Sequence, residues 1–149
     1  MVIWIFVILA LMWLAWFIIT NSQRVTTIET PPDTGIRIVA THPYHNEYIR
    51  LEVQSKTGRY CRCDIAGIRY CGNLSNYVGE FTGWLVAEPD NPHDPNAVKI
   101  VHADGKKVGY IPRNYDGDEI RFNRQFPCPC QCFIARGDNG YYGICAIAK

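Results

Sequence analysis

The sequence predicts a mainly β chain with one short helix, preceded by a single N-terminal transmembrane helix. Three observations carry this. Residues 2–19, VIWIFVILALMWLAWFII, hold no charge. From Ile36 onward short alternating apolar runs are separated by turn residues, and one stretch, Asn114–Arg124, has helical character. With 149 residues, part of them spent on the N-terminus, the chain has room for one core-bearing domain. The expected division is an anchor over 1–20, a linker over 21–35, an added hairpin or N-terminal extension over 36–58, and the main domain over 59–149.

The apolar run spans about 27 Å as a helix, close to a bilayer core. Trp4, Trp13 and Trp16 lie along it, and tryptophan favours the interfacial zones. A cleaved signal peptide would need a basic start and small residues at a cleavage site, and the run has neither. Arg24 and Arg37 follow the run and no Lys or Arg precedes it, which places the C-terminal domain in the cytoplasm. The polar NSQRVTTIETPPDTG, with its Pro31-Pro32 pair, reads as a tether.

Ile36 and Val39, then Tyr48, Ile49, Leu51 and Val53, form two β-like runs around His42-Pro43-Tyr44-His45-Asn46. His42 and His45 are expected at the surface, since no partner ligand accompanies them. Tyr60–Tyr70 alternates as a half-buried strand, Leu74–Glu80 is a loop or short helical turn, and Phe81–Glu88 is a strand. In that last strand Trp84 and Val86 belong to one face and Leu85 to the other. Pro89-Asp90-Asn91-Pro92-His93-Asp94-Pro95-Asn96 reads as a rigid loop bonded to itself, because proline fixes φ and Asn or Asp side chains cap nearby backbone. Ala97–Val101 and Lys107–Ile111 pair through a two-residue turn at Asp104-Gly105. Gly117, Asp118 and Glu119 suit a helix start. Cys130–Ala135 and Tyr141–Ala148 form a last hairpin around Arg136–Gly140, whose Arg-Gly-Asp is explained by the turn.

The string NPHDPNAVKI followed by GKKVGYIPR, with Ile65–Tyr70 upstream ending in a Gly-x-Arg-Tyr step, resembles the HIRAN domain. That β-rich module is known as the DNA-binding part of some fork-remodelling translocases and as a stand-alone bacterial domain. The resemblance covers about Arg59 to Ala148. It implies a small OB/SH3-like β-barrel that recognises single-stranded DNA, particularly a 3′ end. Carried over, it assigns Arg69 and Arg113 to phosphate, Tyr70 to base stacking and Asp94 to a terminal hydroxyl. Asn91, His93 and Tyr110 complete the expected site, with Lys99 and Lys107 adding charge nearby. The sequence departs from DNA-binding members at two places: His93 stands where they carry an aromatic residue, and Tyr110 where they carry histidine. Both keep a ring.

Charge restrains the expectation. From Gly35 on there are fourteen Lys and Arg against twelve Asp and Glu, too even for a broad electrostatic nucleic-acid binder. Affinity must come from a compact pocket. The alternative is a membrane-tethered protein–protein interaction module using the same β-barrel face.

No Walker loop, G-x-S-x-G, H-E-x-x-H or paired-acid motif is present, so the chain is expected to bind rather than catalyse. Seven cysteines, Cys61, Cys63, Cys71, Cys128, Cys130, Cys132 and Cys145, are many for this length. Their CxC and CxCxC spacings differ from C-x₂-C knuckles, yet i and i+2 in a strand share a face. Buried thiols with no cofactor are one reading; a zinc or iron–sulfur site drawn from Cys61, Cys63, Cys128, Cys130 and Cys132 is the other. An odd count and a cytoplasmic placement argue against an all-disulfide scaffold.

Overall fold

The computed structural model describes residues 30–41 and 50–149. The apolar run 2–19, most of the tether, and His42 and His45 lie outside the described residues. Among those described, no helix is long and apolar enough to cross a membrane.

Two strands, β1 (Ile36–Thr41) and β2 (Arg50–Ser55), form the added hairpin. The remaining strands are β3 (Tyr60–Asp64), β4 (Gly79–Ala87), β5 (Val98–His102), β6 (Lys107–Tyr110), β7 (Cys128–Gly137) and β8 (Gly140–Ala148). They make one six-stranded antiparallel sheet in the order β3-β8-β7-β4-β5-β6. The sheet curls into a half-barrel, and its inner face carries Leu85, Ile100, Val108 and Ile134 of the main core, all fully buried. Each such side chain contributes roughly 1.5–3 kcal/mol by leaving water. Ile36, Ile38 and Leu51 of the hairpin cover the outer face at Ile144 and Ala146. Glu80 links the two, accepting from the Ile38 N–H at 2.6 Å and from the Gln131 amide at 2.9 Å.

Three sequence expectations change in detail. The Tyr60–Tyr70 strand stops at Asp64, and Ile68–Tyr70 is a single 3-10 turn entered through Gly67 at φ 67°. The reason is long-range: Ile65 N–H bonds Gly143 O, and Ala66 then exchanges two hydrogen bonds with Tyr110, at 2.8 and 2.9 Å. This bridge brings the chain leaving β3, at one edge of the sheet, against β6 at the other. The β5–β6 turn has three residues, 103–105, because His102 N–H bonds Lys106 O and Gly105 takes the positive-φ position. The last turn shrinks to Asp138-Asn139, with Gly137 opposite Gly140.

The helix α1 (Tyr115–Asn123) forms where expected. Asn114 caps it by accepting from Gly117 N–H at 2.9 Å, and Asp116 and Asp118 sit in its first turn. It packs on β3, burying Gly117, Ile120 and Arg121.

Candidate functional site

The Asp94 loop is built as its composition requires. Asn91 Oδ1 accepts from the His93 and Asp94 N–H groups at 3.0 and 3.2 Å, and Asp94 Oδ1 accepts from Asn96 N–H at 2.9 Å. Backbone bonds from Asn91 to Glu88 and from Glu88 to Ala97 close its base. The polar side chains thus hold the loop first and face solvent second.

Beside it lies a network that the sequence reading missed. Glu88 Oε2 accepts from the Asn91 amide at 2.7 Å and the Tyr110 hydroxyl at 2.8 Å, while Lys99 Nζ is 3.4 Å from Oε1. Bonding from the Asn91 amide, then from Tyr110 and Lys99, holds the Glu88 carboxyl below its ordinary range. Lys107 donates to the Tyr110 hydroxyl at 2.9 Å and lies 4.8 Å from its ring centroid; that bond raises the Lys107 pKa. Tyr110 is therefore fixed from both sides. Glu88 directly follows β4 at the start of the loop, and that position was the available signal.

Arg69 and Tyr70 stand on the 3-10 turn next to Tyr110. Gly109 makes this arrangement possible: a Cβ there would collide with the Ile65 side chain and the Ala66 carbonyl, so the segment after β3 could not cross β6 so closely. Tyr70 is 80% exposed, with the Arg69 guanidinium 5.3 Å from its ring centroid.

Asp94 does not point freely to solvent. Its side chain is 14% exposed, with Oδ2 2.6 Å from Arg121 of α1, whose own side chain is only 5% exposed. Arg121 also bonds Asp118 at 2.9 Å and the Asn96 carbonyl. Arg113 Nε lies 3.7 Å from the same Asp94 oxygen but is largely exposed. The structure thus groups Asp94 with Arg113 and Asn91 with Tyr110. Arg69 and Tyr70 join through the Ala66–Tyr110 bridge, with no direct contact to Asp94 recorded among the described residues. His93 is exposed at the loop tip. Arg121 was missed, and its only sequence trace is the i, i+3 pairing with Asp118 on the helix. Tyr115, 90% exposed two residues beyond Arg113, is a further ring not foreseen.

A cleft of about 500 Å³ adjoins the Arg69 turn at Ile68, with Arg50, Arg62, Asp64 and Tyr142 on its walls. None of the seven expected site residues lines it.

The cysteines divide. All seven are free thiols. Cys130, Cys132 and Cys145 converge on the inner face with their sulfurs within 4.8 Å of one another. Cys61, Cys63 and Cys128, expected among the ligands, are not part of this triple, and Cys145, not expected, is. The reason is register: Cys132 lies opposite Cys145, and Cys145 opposite Cys63, across neighbouring strands. Burial pushes the Cys128 thiol up to about 11.

Fold and site together define a small β half-barrel module with a polar, ring-bearing rim. Residues 59–119 match the family model of the HIRAN domain. Among solved structures it is similar to the crystal structure of the HIRAN domain of human HLTF, at 20% identity and a TM-score of 0.40, over 61% of this chain and 77% of that one. No curated protein matches the chain.

Proposed function

We propose that this rim binds an end of single-stranded DNA, its 3′ terminus placed between the Arg69–Tyr70 turn and the Asp94 loop. The observation that carries the reading is Tyr70: a tyrosine left 80% exposed, paired with a guanidinium, on a turn held in place by a bridge to Tyr110. Such a ring serves as a stacking platform for a base, and Arg69 meets the adjoining phosphate. The HIRAN match over 59–119 supports the same class of ligand. Arg113 supplies a second cation, oriented by Asp94, which Arg121 clamps in turn. Asp94 still has acceptor capacity for a terminal hydroxyl at its exposed edge.

Fluorescence anisotropy with the full chain in detergent tests this, using oligonucleotides ending in a free or phosphorylated 3′ hydroxyl. Tyr70→Ala is expected to weaken binding by about 5- to 150-fold, since one stacked base contributes roughly 1–3 kcal/mol. The phosphorylated end is expected to bind more weakly than the free one. Absence of binding to either oligonucleotide at low salt would sink the proposal and leave the protein-partner alternative. Equal binding of both ends would remove the hydroxyl role given to Asp94.

The module is read as binding without catalysis and as tethered to a membrane by residues 2–19, with the domain on the cytoplasmic side. The uncharged run and the arginines after it support that placement. Release of the full chain into the soluble fraction by alkaline carbonate would contradict it.

A further inference from the structure

We propose that Cys130, Cys132 and Cys145 hold a thiophilic closed-shell metal ion, Zn²⁺ or Cu⁺, with Cys63 beside them as a fourth sulfur. The site lies inside the half-barrel, away from the rim, and is independent of the DNA-binding reading.

Geometry is the main argument. Metal–sulfur bonds of about 2.3 Å require ligand sulfurs about 3.8–4.0 Å apart in tetrahedral or trigonal sites. Here Cys130 and Cys132 sulfurs are 3.7 Å apart, and all three sulfurs of the triple lie within 4.8 Å of each other. The triangle needs little movement to close on an ion. Its members come from β7 and β8, and Cys63 of β3 faces Cys145 across the next ladder, so donors from three strands meet on one face.

The chemistry agrees. All three thiols are fully buried, and no carboxylate or imidazole is part of the donor group, which favours soft over hard cations. Three thiolates around a divalent ion leave one net negative charge in an apolar core. One group offsets it: the backbone N–H of Gly83, directed at the Cys130 sulfur. The Cys132 and Cys145 thiols already donate toward the Cys130 sulfur, so the three are in mutual contact. With no exposed sulfur, the ion is taken up as the chain folds and then kept.

The test uses the full chain in detergent, unfolded in reductant and refolded with Zn²⁺, Cu⁺ or Co²⁺ before removal of loose metal. The expected result is one ion per chain, with Co²⁺ giving the visible spectrum of a tetrahedral thiolate site and separating four-sulfur from three-sulfur binding. Cys132→Ser and Cys145→Ser should each lose the ion, and Cys71→Ser should keep it. Wild-type protein that refolds without any of the three ions overturns the proposal, as does retention of metal by both serine variants. Should those variants fail to fold, protection of three or four wild-type thiols from alkylation, released by chelator, decides for the site. Equal alkylation with and without metal decides against it.

Discussion

Asp94 and Arg121 show how a residue proposed for recognition can also hold the molecule together. Each long side chain at this point is surrounded by polar partners, and Arg121 is nearly sealed from water. Removing Asp94 leaves a buried guanidinium short of its closest anion, a loss of roughly 3 kcal/mol for a pair of this kind. Asp94→Ala is therefore expected to lower the urea midpoint clearly, measured by tryptophan fluorescence. Arg113→Ala, at an exposed side chain 3.7 Å from the same oxygen, should change stability by no more than about 0.5 kcal/mol. If both variants unfold alike, the positioning role of the Asp94–Arg121 pair is wrong. DNA affinity should fall in both, which separates recognition from folding.

At the scale of elements, the site depends on one crossing. The segment after β3 reaches β6 only because Gly109 has no side chain, and that crossing sets the Arg69–Tyr70 turn beside Tyr110. Gly109→Ala forces Ile65 and Ala66 away, at an overpacking cost of about 1–3 kcal/mol. The expected outcome is loss of amide protection at Ala66 and Tyr110 in hydrogen exchange, together with weaker oligonucleotide binding. Unchanged protection there would show that the crossing adapts freely. The helix, by contrast, is locally specified. Asn114→Ala removes the bond to Gly117 N–H and should cost about 1 kcal/mol in thermal unfolding without altering DNA affinity.

For the whole molecule, charge and pH set the conditions of binding. A net charge of +1 gives no broad attractive field, so salt should act through the few rim cations alone. With Arg69 and Arg113 as the main contacts, log K against log salt should have a slope of roughly −1.4, and Arg113→Ala should reduce its size by about 0.7. A much steeper slope would mean that a wider basic surface is engaged. Glu88 sets the acid limit. Its folded-state pKa is depressed, chiefly by the Asn91 amide, so its contribution is present above the unfolded-state value and is lost as pH falls through the folded one. Acid unfolding curves of wild type and Glu88→Gln should therefore diverge above the carboxylate range and converge below it. Parallel curves throughout would show that Glu88 is not coupled to folding.

Much was legible in the sequence because it is local. Alternating apolar residues fix strands, prolines and Asx side chains fix the 89–96 loop, and Asp118-Glu119 mark a helix start within 114–124. Arg69, Tyr70, Asp94 and Arg113 were singled out by the resemblance to the HIRAN domain and not by local pattern. What only the tertiary structure decided is who meets whom across distance. Asp94 turns to Arg121, Ala66 bridges Tyr110, Glu88 gathers three donors, and Cys145 rather than Cys61 or Cys128 joins Cys130 and Cys132. Local dihedral preferences and periodicity carry no information about strand order or curl. Those are set by burying one shared face, and the site is assembled where that burial brings the edges of the sheet together.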